Sequence, residues 1–177
     1  MPITINRPEL AEYPASYQTY MDHLPDGEVM YLLDKHSTDL RHMFRNVSDA
    51  RAEESYAVGK WTIKELLQHM IDSERIFSYR AMCISRGEDN PLPGFDENLY
   101  ASNSLANIRL LKNMLEEYEQ VRRSSLLLFR SLTTEMLNQV GIVNGNEVSV
   151  RGLIHVMAAH EYHHITILQS RYLKRKD

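Results

Sequence analysis

The stretch of sequence that decides the fold is Glu88–Asn98, which reads EDNPLPGFDEN. Its two prolines and its lack of a helical apolar period exclude a continuous helix through it. A connection of this length inside a compact domain is typically functional, or it crosses the molecule from end to end. The stretch therefore leaves room for a crossover along a helix bundle, so that the helices on either side of it can run parallel.

Two helical segments are predicted before this connection. The first follows Pro25–Gly27 and runs to about Val47, with apolar residues at spacings of three and four. The second has the clearest start signal in the chain, because Thr62 and Glu65 match a capping box. It continues to Gly87, a typical helix stop.

Two more helical segments follow the connection. The third runs from about Ser104 to Ser131, and the fourth starts at the candidate N-cap Ser149 and runs to about Leu173. Between them, Asn144-Gly145 is flanked by β-forming residues and predicts a short hairpin. The apolar stripe of the third segment consists of Ile108, Leu111, Leu115, Tyr118, Leu126 and Phe129.

These elements predict an all-α four-helix bundle with a short irregular or hairpin segment before the last helix. The short first connection favours antiparallel neighbours, and the long second connection allows an up-down-down-up order with a crossover between the second and third helices. An ordinary up-down-up-down bundle with one long loop fits the same pattern, so both orders stay open at this point. We expect residues 1–177 to form a single domain, with residues 1–25 as an N-terminal extension packed on the bundle.

Composition narrows the class of protein. The chain has 177 residues, 43% of them hydrophobic, and a net charge of −4 with both signs interspersed, which gives no nucleic-acid footprint. We find no secretory signal and no apolar stretch long enough to span a membrane. Cys83 is the only cysteine, so no disulfide stabilises the fold and a reducing compartment is expected. Together these features predict a soluble, cytoplasmic protein.

The chemistry is concentrated in the last predicted helix, at His160-Glu161-Tyr162-His163-His164. Residues four apart on a helix share a face, so His160 and His164 can direct their imidazoles at one divalent metal ion. The string also matches the H-E-x-x-H pattern of zinc proteases, in which the glutamate is the general base. Against that reading, no histidine, glutamate or cysteine follows His164 as a further ligand, and no strand is evident to hold a peptide.

A metal centre needs a third ligand, and His69 on the second helix fits best. In the crossover order the second and fourth helices are antiparallel, and at about 1.5 Å per residue the depths of His69 and His164 agree within roughly one turn. A lone inward histidine is more often a hydrogen-bonded core residue, whereas a neighbouring pair is costly to bury without a partner. His163 stays open as a ligand. The remaining histidines fit less well: His23, His36, His42 and His155.

Three segments now support a family resemblance. Trp61–Asp72 matches a W-[ST]-x-x-E-x-x-x-H-x-x-D pattern, and Leu92–Glu97 and His160–Ile165 follow in the expected order. In these segments the chain resembles the DinB/YfiT-like family of metal-dependent enzymes over about residues 25–173. The resemblance implies the crossover bundle, a frequent homodimer and a divalent metal. It implies three metal ligands: His69, His160 and His164. Imidazole ligands suit zinc, nickel, copper or iron, and we expect zinc or nickel.

The resemblance also implies a reaction class. Three neutral imidazoles leave the charge of a divalent ion uncompensated, so that water or a thiol at an open position becomes a strong nucleophile. Characterised members of the family include enzymes that use low-molecular-weight thiols, so the resemblance makes a thiol S-transferase acting on a small-molecule substrate the leading hypothesis. A metal-dependent hydrolase is the close alternative, and a non-catalytic, metal-binding, dimerising bundle is a third. We expect residues 88–103 and 141–148 to shape the opening for the substrate.

Three further residues are candidates for supporting roles at this centre. Asp72 could accept a hydrogen bond from a ligand ring, because metal-bound histidines commonly donate their second N–H to an acceptor. Glu161 is expected to support the site or to lie on the surface rather than to act as a protease base. His163 is expected beside the site or in solvent.

Overall fold

The computed structural model describes residues 4–173, and α-helices make up most of it. The helices are α1 (Gln18–His23), α2 (Val29–Phe44), α3 (Asp49–Ala52), α4 (Ile63–Ser85), α5 (Glu97–Asn103), α6 (Leu111–Arg130), α7 (Thr134–Leu137) and α8 (Val150–Ile167). The remaining elements are 3-10 turns at Leu10–Glu12, Ala15–Tyr17 and Ala106–Ile108, strands β1 (Val140–Val143) and β2 (Asn146–Ser149), and a π-helical turn at Leu168–Tyr172.

The long helices α2, α4, α6 and α8 form a four-helix bundle. Helices α4 and α6 run parallel, because contacts between them advance together along both chains. Glu74 accepts hydrogen bonds from Arg122, and Ser78 pairs with Ser125 one turn further on. The Glu88–Asn98 connection therefore returns the chain along the bundle, as its length predicted.

Helices α2 and α8 run opposite to this pair. Contacts between α2 and α6 run in opposite directions, from Leu33 with Arg122 to Arg41 with Glu119. Contacts between α4 and α8 do the same, since His69 meets His164 whereas Phe77, further along α4, meets His160. The order is therefore up-down-down-up, and the crossover prediction is confirmed over the simpler alternative.

Side-chain caps fix the start of the two helices that carry the candidate ligands. The Thr62 hydroxyl accepts a hydrogen bond from the Glu65 amide, and the Glu65 carboxylate accepts one from the Thr62 amide, which completes the predicted capping box of α4. Ser149 caps α8 by accepting a hydrogen bond from the Gly152 amide at 2.9 Å. Because each cap sets the first residue of its helix, it also sets the face on which every later residue lies.

The hairpin anchors the crossing connection. Leu92 in the connection donates its amide to the Ile142 carbonyl at 2.8 Å and accepts a hydrogen bond from the Asn144 amide at 2.9 Å. The predicted Asn144-Gly145 turn is confirmed, with φ values of 49° and 76°. At Gly94, a Cβ atom would lie 2.5 Å from the Asn144 side-chain oxygen, so a larger residue there would require the Asn144 side chain to move.

The third long helix starts later than predicted. It begins at Leu111 rather than near Ser104, because Leu105 is left-handed with φ of 54° and both Arg109 and Leu110 are extended. Ile108, assigned to the inward stripe, belongs to a separate turn and is 81% exposed. The connection also contains a helix that its composition did not reveal, α5, capped by the Asp96 carboxylate.

Both ends of the described chain lie on the bundle. The N-terminal helix α1 packs against α8 and stacks Tyr20 on His163. Helix α8 ends at Ile167, and the chain continues to Tyr172 as a wider π-helical turn instead of regular helix. That residues 1–177 form one domain stays a prediction, since residues 1–3 and 174–177 lie outside the described structure. Within residues 4–173, no helix is both long enough and apolar enough to cross a membrane.

Candidate metal centre

Three imidazoles converge where α4 faces α8. The Nε2 atom of His69 lies 3.0 Å from that of His160 and 3.1 Å from that of His164. The Nε2 atoms of His160 and His164 are 3.1 Å apart. One capped helix supplies the first ring and the i,i+4 spacing on the other supplies the second and third, so the structure brings together the three residues that the sequence singled out.

Hydrogen bonding alone cannot satisfy this triangle of nitrogens. In a neutral imidazole, each Nε2 is either a donor or an acceptor, and it has one direction in which to act. Among three mutually adjacent atoms with two possible roles, at least one pair must share a role, so two lone pairs or two N–H groups face each other. A cation that accepts all three lone pairs removes the conflict. Three nitrogens bound to one tetrahedral ion lie roughly 3.3–3.4 Å apart, close to the observed triangle.

Burial keeps these rings neutral. The side chains of His69 and His164 are buried and that of His160 is half-buried. Burial lowers the pKa of His69 to about 4, and burial together with the neighbouring His69 lowers the pKa of His160 to about 3. Burial, reinforced by the other two rings, places the pKa of His164 lower still. Neutral imidazole is the form that binds metal, so at neutral pH the donor set suits a divalent cation.

Asp72 does not support a ligand ring, which corrects its predicted role. Its carboxylate accepts a hydrogen bond from Gln68 at 2.9 Å and lies 3.7 Å from the Arg75 guanidinium. Both of these partners lie on α4 itself, so the Asp72 carboxylate is bound along its own helix and not to a histidine ring. Nδ1 of His164 is buried and has no hydrogen-bond partner among residues 4–173.

Glu161 points away from the three imidazoles into the middle of the bundle. Its Oε1 accepts hydrogen bonds from the Tyr118 hydroxyl at 2.5 Å and from Arg122 at 2.6 Å. Its Oε2 pairs with Nδ1 of His36 at 2.9 Å. Burial alone would raise the pKa of Glu161, but the Arg122 charge and the His36 bond lower it to about 2. A carboxylate that is fully engaged on the opposite face of α8 cannot act as the base of an H-E-x-x-H protease.

The partners of Glu161 belong to a buried network that the sequence did not predict. Arg122 is 3% exposed and forms a two-pronged ion pair with Glu74 at 2.8 and 2.9 Å. It also donates a hydrogen bond to Ser37 at 3.1 Å. We call this set the Arg122 network; its members are His36, Ser37, Glu74, Tyr118, Arg122 and Glu161. Its only signal in the sequence is the presence of charged residues at inward helical positions.

His163 lies at the edge of the centre and not within it. Its ring stacks on Tyr20 with centroids 4.5 Å apart and meets the edge of the His164 ring at 5.1 Å. Burial, together with the nearby His23, lowers its pKa. His155 is occupied elsewhere, because its Nδ1 bonds the Arg151 carbonyl. The structure thus leaves His163 as a neighbour of the site.

Comparison with known proteins agrees with this geometry. Residues 32–168 match the model of the DinB superfamily. The chain belongs to the DinB superfamily. The family predicted from the sequence is thereby confirmed, and all three clustered histidines lie inside the matched range.

Two relatives illustrate the DinB match. A protein of Oceanobacillus iheyensis named "Putative metal-dependent hydrolase" is 26% identical over 136 residues, which are 75% of this chain and 77% of that protein. YfiT from Bacillus subtilis, described as a probable metal-dependent hydrolase with an unusual four-helix bundle topology, aligns with a TM-score of 0.71 at 15% identity. That alignment covers 91% of this chain and 88% of YfiT, and it supports the shared fold.

A cleft of about 320 Å³ opens onto the three histidines of this DinB chain. Most of its wall is aromatic, and the rings come from four parts of the chain: the N-terminal segment, the residue before the α4 cap, α4 itself and the crossing connection. The wall residues besides the histidines are Ser16, Tyr17, Tyr20, Trp61, Phe77, Phe95 and Glu97. Trp61 lies nearest to the centre, with its ring centroid 4.8 Å from that of His69.

Two further cavities meet this cleft from different sides. One, of about 180 Å³, shares Tyr17, Phe77 and Phe95 with it and reaches the hairpin at Asn144. The other, of about 240 Å³, shares Trp61 with it and extends toward the end of α8. Segment 88–103 therefore lines the cleft itself through Phe95 and Glu97, whereas segment 141–148 lines the neighbouring cavity of about 180 Å³.

The sequence did not single out the wall residues of the N-terminal segment. Tyr17 and Tyr20 precede the bundle, and nothing in their spacing links them to His69 or His160. Phe77 did leave a signal, because it follows His69 by eight residues, which is about two helical turns and returns it to nearly the same face of α4.

Proposed function

We propose that this protein is a divalent-metal-dependent enzyme whose ligands are His69, His160 and His164. The observation that carries the proposal is the triangle of Nε2 atoms at 3.0–3.1 Å, which no pattern of hydrogen bonds satisfies. Zinc or nickel suits three imidazoles, and the ligand set by itself does not choose between them. Among the described residues, these three are the only cluster of histidine, cysteine or carboxylate side chains with metal-site spacing.

Three protein ligands are the mark of a site that keeps a position for chemistry, since structural sites are closed by four. A divalent ion held there supplies Lewis-acid activation of a small nucleophile. The chain's own contribution is to keep the three rings neutral and to screen the site from bulk water with aromatic walls. The Arg122 network, bonded to Glu161, fixes the rotation of α8 and so the direction of its two ligands. A site with three protein ligands behind an aromatic wall favours an enzyme over the non-catalytic bundle.

Hydrolysis of a small molecule is the reaction that we favour. Both relatives carry names that describe metal-dependent hydrolases, and this chain spans most of the length of each. Water is the nucleophile that needs no dedicated binding site. The small volume of the cleft fits a compact substrate rather than an extended peptide.

Thiol S-transfer is the second candidate, and one observation favours it. Two cavities meet the cleft from different sides, which offers separate places for a low-molecular-weight thiol and for the molecule that receives its sulfur. A hydrolase requires one such place. The homodimer and the cytoplasmic location stay predictions that follow from the resemblance and the composition.

Metal analysis tests the shared basis of both candidates. Wild-type protein should bind one divalent ion per chain, and His69→Ala should abolish stoichiometric binding. His42→Ala is the matched control, because His42 is exposed on α2 and should leave metal content unchanged. Retention of full metal content by His69→Ala would refute the proposed ligand set.

Cobalt substitution then separates the two candidates. A low-molecular-weight thiol added to the cobalt protein should add a sulfur charge-transfer band if thiol binds at the centre. Turnover of model esters and amides without any thiol should appear if water is the nucleophile. A silent cobalt spectrum together with thiol-independent hydrolysis would eliminate the transferase, and the reverse pattern would eliminate the hydrolase.

A further inference from the structure

Arg80 is a buried arginine in the cavity next to the three histidines. It lies on α4, is 5% exposed, and lines the 180 Å³ cavity between the crossing connection and the hairpin. Its one hydrogen bond within residues 4–173 runs from Nη2 to the Pro93 carbonyl at 2.6 Å. The remaining N–H groups of the guanidinium therefore have no partner among the described residues.

Arg80 has no counter-charge in the part of the chain that the structure describes. Among residues 4–173 no carboxylate oxygen lies within 4.0 Å of its guanidinium, and this includes Glu97 in the same cavity. Its carbon Cζ lies instead 6.0 Å from the ring centroid of Phe77 and 5.8 Å from that of Phe95. Burial lowers the pKa of Arg80, yet an arginine in a protein keeps its charge at neutral pH.

Comparison with the other buried arginine of the bundle shows what is unusual. Arg122 is similarly buried, but two carboxylates and a hydroxyl surround it. A buried charge without such compensation is costly, and proteins retain one where a ligand supplies the missing partner. The planar guanidinium matches the oxygens of a carboxylate or a phosphate, which it can bind with two parallel hydrogen bonds.

The cavity of Arg80 continues into the cleft of the candidate centre. Phe77 contacts Arg80 on one side and the His160 ring on the other, with ring centroids 5.8 Å apart. Tyr17, Phe95 and Glu97 line both spaces. One small molecule can therefore reach from the guanidinium to the three histidines.

We propose that Arg80 binds the anionic end, a carboxylate or a phosphate group, of the small substrate whose reactive end lies at His69, His160 and His164. The second half of this statement rests on the proposed function, whereas anion binding at Arg80 does not. The small volume of the cavity suits a single such group. Arg80 is then a residue that determines specificity, and it positions the substrate by its charge.

Anion binding can be measured with defined probes on the metal-loaded protein. Glutarate and inorganic phosphate, each titrated at constant ionic strength, should raise the melting temperature saturably, and uncharged glutaramide should not. Whichever anion binds more tightly identifies the group, carboxylate or phosphate. Absence of a saturable effect with both anions would overturn the inference.

Variants of Arg80 test whether this residue is responsible for the anion-dependent rise in melting temperature. Arg80→Gln should weaken the preferred anion at least about tenfold, since it removes a charge-assisted pair of hydrogen bonds. Arg80→Lys keeps the positive charge but loses the planar guanidinium, so it should weaken binding of the preferred anion by a smaller factor. If Arg80→Gln does not fold, the anion affinity of Arg80→Lys is the test. Arg75→Gln is the matched control, because Arg75 is an exposed arginine of α4 that pairs with Glu117. Unchanged anion affinity in the folded Arg80 variants would contradict the proposal.

The His69→Ala variant keeps this test separate from the metal hypothesis. Anion binding that survives in His69→Ala and fails in Arg80→Gln supports Arg80 whatever the metal content. Anion binding that fails in His69→Ala and survives in the Arg80 variants places the anion at the histidines and overturns the inference. A purely structural Arg80, holding only the Pro93 carbonyl, would alter the melting temperature without altering its dependence on the anion.

Discussion

Adjacent residues on α8 bury polar groups in two different ways. His160 and His164 face α4 with neutral rings whose nitrogens crowd one another at 3.0–3.1 Å. Glu161, between them in sequence, faces α2 and α6 with a charged carboxylate on which three partners converge. The first arrangement is incomplete without a cation, and the second is complete in itself. Helix α8 thus has the candidate metal centre on one face and, on the other face, the Arg122 network that fixes the position of the helix.

The two faces of α8 show which buried polar groups indicate a functional site. Charge alone does not indicate function. The Arg122 network is the most highly charged part of the interior, but each of its charges has an opposite charge or a hydrogen-bond partner. Around the cleft, the three Nε2 atoms and the guanidinium of Arg80 lack matching partners among the described residues, and elsewhere two single buried oxygens, Glu28 Oε1 and Ser73 Oγ, lack one. Substitutions in the Arg122 network should therefore change mainly the stability of the fold, whereas substitutions at the cleft should change mainly the binding of metal or ligand.

Replacement of Arg122 by Met should have the largest effect on folding. It leaves Glu74 and Glu161 buried without their cation, which should lower the free energy of unfolding by about 3–5 kcal/mol. Urea denaturation followed by circular dichroism measures the change. Arg123→Met, at the neighbouring exposed position of α6, is the control and should change stability by less than about 0.5 kcal/mol. Equal effects of the two substitutions would show that the network contributes little.

Removal of the metal should come next in size. At a free metal concentration of 100 to 1,000 times Kd, binding to the folded state stabilises it by about 3–4 kcal/mol. A chelator should therefore lower the melting temperature of the wild-type protein, and it should not change that of His164→Ala. A chelator effect that persists in His164→Ala would mean that the stabilising metal binds elsewhere.

Acid should weaken the metal-free protein through the histidines. Burial lowers the pKa of His69 from 6.5 to about 4, so below pH 6.5 the unfolded chain binds a proton that the folded chain does not. This source of stability is complete above pH 6.5 and is lost progressively as the pH falls toward 4, at up to roughly 1.4 kcal/mol per pH unit. Thermal denaturation across this range should show a shallower decline for His69→Gln than for the control His42→Gln. Parallel declines in the two variants would contradict the burial of a neutral His69.

Tyr118→Phe should produce the smallest of these effects. It removes one hydrogen bond to Glu161 and leaves the Arg122 and His36 contacts in place, which should lower the free energy of unfolding by about 1.5 kcal/mol. Metal stoichiometry should not change, since the hydroxyl lies on the Glu161 side of α8. Tyr100→Phe, at an exposed position of α5, is the control for urea denaturation. Loss of metal in Tyr118→Phe would show that the two faces of α8 are not independent.

Sequence patterns predicted the parts of the molecule that short-range rules determine. The caps at Thr62 and Ser149 follow from local hydrogen bonding, and the i,i+4 pair His160 and His164 follows from helix geometry. The length of the long connection allowed a crossover without requiring it, and the family resemblance favoured the crossover. The position of His69 opposite the pair followed from these three facts together.

The errors concern features that depend on which helix lies opposite. Asp72 was expected at a ligand ring, but its angular position on α4 turns it toward Gln68 and Arg75. The predicted third helix is interrupted at Leu105, where the sequence has no proline or glycine to indicate a break. Burial of Arg122 and Arg80 could not be read from the sequence, since the same residue type is usually exposed and only the packed neighbours decide between a matched charge and an unmatched one.

The walls of the cleft and the metal ligands come from different parts of the chain, so the two can change independently between homologous bundles. All three histidines are anchored in two long helices, whereas much of the wall comes from residues 14–20, 94–97 and 143–148, outside those helices. The range that matches the DinB model begins at residue 32, so the first of these segments lies outside it. Exchange of such peripheral segments between homologues should redirect substrate choice while the reactive core stays intact, which makes them the natural targets for engineering new selectivity.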